Sequence, residues 1–121
     1  MSFAVSDAVS QVLASALDGV SLRQRVIADN IANVDTPGFR ASSVDFETQL
    51  KAAISDGSFE EGADSVTATT SPTDTPVGAN GNNVDLRKET MAAVQSQFQY
   101  QILTRAVNER FNLVKTAAGQ F

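Results

Sequence analysis

The chain reads as mainly α: long N- and C-terminal helices paired antiparallel as a coiled coil, with an irregular or small-β central segment. Three observations carry this reading. Apolar residues recur at helical spacing through the first third of the sequence, and again through the last third. The stretch between them is rich in Ser, Thr, Gly, Pro and Asn and holds no sustained period.

The first helix is expected over residues 4–34. Val5, Val9, Val12, Leu13, Ala16, Leu17, Val20, Ile27, Ile31 and Val34 recur at steps of three, four and seven. Leu13, Val20, Ile27 and Val34 lie one heptad apart, and Leu17, Gln24 and Ile31 fill the second seam position. Two seams in register point to a helical partner. Such a helix is on the order of 45 Å long. Gly19 lies inside it, costs about 1 kcal/mol relative to Ala, and is expected to mark a bend.

The helix must stop at Thr36-Pro37, because proline disfavours the helical conformation of the residue before it. Pro37 and Gly38 suit the central positions of a type II turn, since glycine tolerates positive φ. Asn33 and Asp35 are residue types that cap helix ends or bond back to nearby backbone. Over residues 41–62, Val44, Phe46, Leu50 and Ile54 suggest a short strand followed by a helical turn, with Asp45, Glu47 and Lys51 on a wet face. Residues 63–83 carry Pro72, Pro76, Gly78 and Gly81 and little hydrophobicity. They are expected to form a mobile loop or small β-finger that orders against a partner. The Asn80–Asn83 run shares residue types with oxygen-ligand calcium loops but lacks their spacing and terminal Glu. The last helix opens at Asp85, a good N-cap, without the Glu or Gln of a capping box at Lys88. Met91, Val94, Phe98 and Ile102 carry the first half of its apolar face; Leu103, Val107, Phe111, Val114 and Ala118 carry the second. Phe98, Tyr100, Phe111 and Phe121 supply bulk. The division is an N-terminal amphipathic helix over 1–36, an irregular central segment over 37–84 with a flexible loop at 63–83, and a C-terminal amphipathic helix over 85–121.

Composition removes several function classes. The 121 residues contain no Cys, His or Trp, so neither a thiolate nucleophile nor a histidine metal ligand is available. Nine Lys and Arg are scattered among 14 Asp and Glu, a net charge of −5, which suits neither nucleic acid nor an anionic membrane. No apolar run approaches the roughly 20 residues of a membrane span, so no direct membrane insertion is expected. The first seven residues have no basic head and include Asp7, unlike a Sec signal peptide. Glu60-Glu61 is a carboxylate pair in a polar stretch with no apolar surroundings to raise a pKa, so the chain is not expected to be an enzyme. No cofactor is implied. What remains is surplus apolar surface at both ends. Val12 with Leu17, or Phe98 with Phe111, cannot all face one partner helix, so the leftover strips are expected to pack against neighbouring copies.

The turn segment carries a family likeness. Ala28-Asp29-Asn30-Ile31-Ala32-Asn33-Val34-Asp35-Thr36-Pro37-Gly38-Phe39-Arg40 closely resembles the N-terminal signature of the flagellar rod, hook and hook-associated axial proteins. In that family an amphipathic helix leads into A-x-N-(I/L)-A-N-x-x-T-P-G-(F/Y)-(K/R). Arg23-Gln24-Arg25, Val44-Asp45-Phe46-Glu47 and Gly81-Asn82-Asn83-Val84-Asp85-Leu86 narrow the likeness to the short proximal rod proteins. The likeness covers 5–47 and 80–118 and departs at Arg87-Lys88, where a more acidic helix start is the family pattern. It implies a structural subunit of the bacterial flagellar basal body rod, sited in the periplasm. Export by the flagellar type III apparatus and self-assembly through the terminal helices are implied with it. The implied partners are other copies of the chain, other flagellar rod proteins and the rod–ring junction protein FliE. The implied assembly motif is Asn30, Asn33, Thr36, Pro37, Gly38 and Phe39. The helix-packing interface is expected at Leu13, Leu17, Val20, Ile27, Ile31, Val34, Met91, Val94, Phe98, Ile102, Leu103, Val107, Phe111 and Val114. A sister proximal rod protein is the second reading. A cytoplasmic helical secretion chaperone or adaptor is the third, against which the Thr36-Pro37-Gly38 turn speaks.

Overall fold

The computed structural model describes residues 3–59 and 67–119, with side chains described from Ala8 onward. The side chain of Val5, the Glu60-Glu61 pair, residues 63–66 of the expected loop, and Phe121 lie outside the described residues. In chain order the elements are α1 (Phe3–Ala32), β1 (Ser42–Asp45), α2 (Glu47–Ser55), β2 (Thr69–Pro72) and α3 (Leu86–Gly119). α1 and α3 run antiparallel. Ser10 receives a hydrogen bond from Arg110 Nε at 3.3 Å near one end, and Val26 and Ile27 lie across a cleft from Glu89 and Ala92 near the other. β1 and β2 form a two-stranded antiparallel sheet in which Val44 faces Thr70.

α1 needs two partners because its apolar arc is wide. Leu13 and Leu17 turn toward α3, where Val107, Phe111 and Val114 border the same groove. Ala16 and Val20 turn toward the central segment and form the core with Val44 and Phe46, flanked by Leu22, Val26, Leu50 and Leu103. α1 runs unbroken through Gly19, which opens a notch for Phe46. A Cβ at position 19 would sit 2.3 Å from Phe46 Cγ, well inside van der Waals contact.

The strand and the helical turn expected over 41–62 are β1 and α2. Residues 69–72 form a β-finger, and its partner is the chain's own β1. α1 ends at Ala32, two residues before the end of the apolar repeat. The Asn33 N–H is shared between the carbonyls of Asp29 and Asn30, and Val34 N–H bonds Ile31 O. This tightening to i−3 bonds puts Val34 in a turn rather than on the helical seam. At the other helix, Asp85 Oδ1 accepts from Lys88 N–H at 3.2 Å, as an N-cap should.

α3 is rotated away from the orientation its apolar stripe suggests. Apart from Leu103, the residues it presents to α1 here are small or polar: Glu89 and Ser96 are buried, and Ala92, Ala93 and Gln99 are partly so, as is Leu103. Met91, Val94, Phe98 and Ile102 are exposed, so these four do not pack against α1. Alanine and serine at 92 and 96 let the helix backbones approach, which the bulkier stripe would prevent. Arg23 of α1 fixes the same rotation by bonding Gln99 Oε1 at 3.0 Å.

Candidate assembly site

The signature begins as a frayed helix end and becomes a fixed turn. Asn33 Nδ2 bonds Asp29 O at 2.8 Å, and Thr36 Oγ1 donates to Asn33 Oδ1 at 3.0 Å. Phe39 N–H then bonds Thr36 O across Pro37 and Gly38, and Gly38 has φ +77°. Proline second and a positive-φ glycine third define the type II turn expected from sequence. Thr36, Pro37, Gly38 and Arg40 are exposed, and Phe39 is half-buried.

Three buried asparagines hold this turn in place. Asn30 is 1 % exposed and brackets Ser42: its Nδ2 donates to Ser42 O at 2.8 Å and its Oδ1 accepts Ser42 N–H at 3.2 Å. Asn82 Nδ2 donates to both Asn33 O and Thr36 O at 2.8 Å, while its Oδ1 accepts Val84 N–H at 2.7 Å. Asn83 Oδ1 accepts Ala41 N–H at 2.6 Å, and its own N–H donates to Phe39 O at 3.2 Å. Gly38 N–H bonds Asn80 O at 3.0 Å. Gly81, at φ +82°, passes so close that a Cβ there would lie 3.2 Å from Gly38 Cα. Buried amides with both ends bonded offset their desolvation cost. The segment before α3 is thus stitched to the segment after α1.

Arg23 ties the remaining pieces together. Its guanidinium pairs with both Glu47 carboxylate oxygens at 3.0 and 2.5 Å and donates to Val44 O at 2.6 Å and Gln99 Oε1. It also lies 4.9 Å from the Phe46 ring centroid, within cation–π reach. Partial burial is the largest single influence on Glu47 and raises its pKa. The Arg23 hydrogen bonds and charge, with backbone N–H groups at Glu47 and Phe46, together outweigh it and hold the carboxyl below its ordinary 4.5.

Of the expected packing residues, Val20 and Ile27 are buried, and Leu13, Leu17, Ile31, Val34, Leu103 and Val107 are half-buried. Met91, Val94, Phe98, Ile102, Phe111 and Val114 are exposed, Phe98 by 61 % and Ile102 by 67 %. The outward four, with Leu113 further along, fall at i, i+3, i+7, i+11 and i+22, one stripe down the solvent side of α3.

Residues 11–40, most of α1 and the turn, match the family model described as "Flagella basal body rod protein". The flagellar basal body rod protein FlgB of Bacillus subtilis (strain 168) is 36 % identical over 115 residues, covering 88 % of this chain and 89 % of that protein. The chain belongs to the FlgB family of flagellar basal body rod proteins. FlgB of Borreliella burgdorferi is 34 % identical, covering 81 % of this chain and 86 % of its own length. FlgB of Escherichia coli (strain K12) is 32 % identical, covering 84 % and 86 %. The sister-protein and chaperone readings are not favoured.

Within this rod protein, sequence reasoning found the turn but missed what pins it. Asn82 and Asn83 were legible only as turn formers, although two consecutive asparagines just before a helix N-cap offer four amide groups beside a turn that needs partners. Arg23 was legible only within the family likeness and Phe46 only as an apolar residue of a short strand; that the two meet left no trace in the spacing.

Proposed function

We propose that the chain is a structural, non-catalytic subunit of the basal body rod, and that the outward stripe of α3 is its contact with neighbouring rod subunits. The observation that carries this reading is the division of labour on α3. A small, polar face binds α1, and Met91, Val94, Phe98 and Ile102 are left bare. Fully burying a large apolar side chain is worth about 1.5–3 kcal/mol, so four such residues, each more than half exposed, hold on the order of 3–6 kcal/mol per contact in reserve. A long apolar stripe rimmed by Gln95, Gln97 and Gln101 suits a neighbouring helix. Neighbours in this reading are other copies of the chain, other rod proteins and the junction protein FliE, reached in the periplasm after type III export. No helix of the described residues is long and apolar enough to cross a membrane.

Phe98→Glu tests this directly. The variant is expected to keep the helicity and urea midpoint of the parent, to vanish from isolated basal bodies, and to abolish swimming. Phe98→Leu is expected to assemble. Normal rods built from Phe98→Glu would overturn the assignment of the stripe.

A further inference from the structure

An asparagine followed by glycine is open to attack by its own backbone. The nitrogen of the second residue can reach the side-chain carbonyl carbon of the first, and glycine has no Cβ to block the approach. An N–C bond forms, the C–NH2 bond breaks, and the amide leaves as ammonia with the proton of the attacking nitrogen. Water then opens the resulting succinimide ring at either carbonyl. One opening gives aspartate. The other gives isoaspartate, whose backbone runs through Cβ and Cγ and is one atom longer.

The sequence holds one Asn-Gly pair, Asn80-Gly81, and the fold places it in the loop that closes the clamp on the signature turn. Asn80 is exposed, so water reaches it. Hydrogen bonds hold each reacting group away from the reaction. Gly81 N–H donates to Gly78 O at 3.0 Å, which retains the proton that the nitrogen must lose. Asn80 Oδ1 accepts Asn82 N–H at 3.2 Å, so the side-chain carbonyl is fixed in an Asx-turn. Asn80 O accepts Gly38 N–H at 3.0 Å, and the loop is closed again by Gly78 N–H on Asn82 O at 2.8 Å. The two Asp-Gly pairs are protected in other ways. Asp18-Gly19 lies inside α1, where the helical ladder fixes the backbone. Ser58 Oγ and N–H both donate to Asp56 Oδ1 and hold that carboxyl below its ordinary 3.8, and an ionised carboxylate is a poor target for a nitrogen.

We infer that Asn80-Gly81 is a spontaneous deamidation site that the folded clamp holds shut, so that conversion falls on chains waiting unfolded and spoils the clamp they would later form. The isoaspartyl product does not fit the loop. The Asn80 carbonyl that holds Gly38 N–H becomes a free carboxylate on a branch. The added backbone atom must also be placed where a Cβ on Gly81 would already lie 3.2 Å from Gly38 Cα. The aspartyl product keeps the length of the backbone and a side-chain oxygen for Asn82 N–H, and folds as the parent does. The inference needs only the clamp and stands apart from the rod-subunit reading.

The full-length chain is aged at mildly alkaline pH, folded and in urea, and position 80 is followed by peptide mass spectrometry with isoaspartyl methyltransferase labelling. Conversion in the folded chain is expected to be slower by roughly tenfold or more, because it waits on local opening of the loop. The purified isoaspartyl chain, returned to buffer, is expected to unfold at a lower urea concentration than the parent, and the aspartyl chain to match the parent. In Asn80→Ser the hydroxyl keeps the turn bond and offers no carbonyl to attack, so this chain should keep its own midpoint after ageing in urea. Absence of conversion at Asn80 in urea would overturn the site, and equal rates in the folded and unfolded chains would overturn the lock. An unchanged midpoint for the isoaspartyl chain, or a loss on ageing in Asn80→Ser as large as the parent's, would overturn the damage assigned to this position.

Discussion

At the signature end of the helix pair, Asn30, Asn82 and Asn83 spend their amides on backbone groups of Asn33, Thr36, Phe39, Ala41 and Ser42. At the opposite end, Ser10, Leu13 and Leu17 face Val107, Phe111 and Val114 across an open groove of about 290 Å³, and residues 111–119 are exposed throughout. The first region satisfies directional demands inside one chain and has a single solution. The second leaves non-directional apolar surface that any well-shaped helix can cover. Polar clamps fix the subunit's shape; the bare apolar surface is what the proposed assembly would cover.

The clamp end should therefore be brittle to substitution and the open end tolerant. The largest effect is expected at Asn82→Leu, which strips a donor from Asn33 O and Thr36 O and an acceptor from Val84 N–H. Unfolding in urea should show a loss of about 3 kcal/mol; a loss below about 1 would mean the clamp is ornamental. Gly19→Ala comes next. Helix propensity alone gives a gain of about 1 kcal/mol, but the methyl would meet the Phe46 ring, so a net loss of about 1–3 kcal/mol is expected. Combining it with Phe46→Leu should cost less than the two single changes summed.

The Arg23–Glu47 pair gives a smaller and pH-dependent effect. Glu47's folded pKa lies below 4.5, so its contribution is present above that value and lost as pH falls below it through the folded pKa. The Glu47 side chain is 52 % exposed, so solvent screening keeps this under about 1 kcal/mol. Stability measured between pH 6 and pH 3 should fall less steeply in Glu47→Gln than in the parent. Smallest of all is Phe111→Ser at the open end, expected to change the monomer's midpoint by about 0.5 kcal/mol or less. An effect as large as that of Asn82→Leu would erase the contrast between the ends.

What could be read from the sequence follows the same division. Local rules were enough for the helices, the type II turn at Pro37-Gly38 and the Asp85 cap, because each is encoded within a few residues. The rotation of α3 was not legible. Its apolar stripe marks the face that avoids water, and periodicity does not say whether α1 or another molecule will cover it. Asn82 reaching Asn33, or Phe46 reaching Gly19, joins residues dozens of positions apart through geometry that no spacing announces. Gly19 shows the same limit: taken alone it is a weak spot in a helix, and only the ring lying on it shows what the missing side chain is for.

That ring has a mechanical consequence. Sliding α1 along its axis by one turn, about 5.4 Å, would bring a bulkier neighbour such as Arg23 or Ser15 beneath Phe46 in place of the glycine. The helix can therefore seat at one axial position only, like a detent on a shaft. A subunit loaded in torsion and shear would yield elsewhere before its long helix slipped past the sheet.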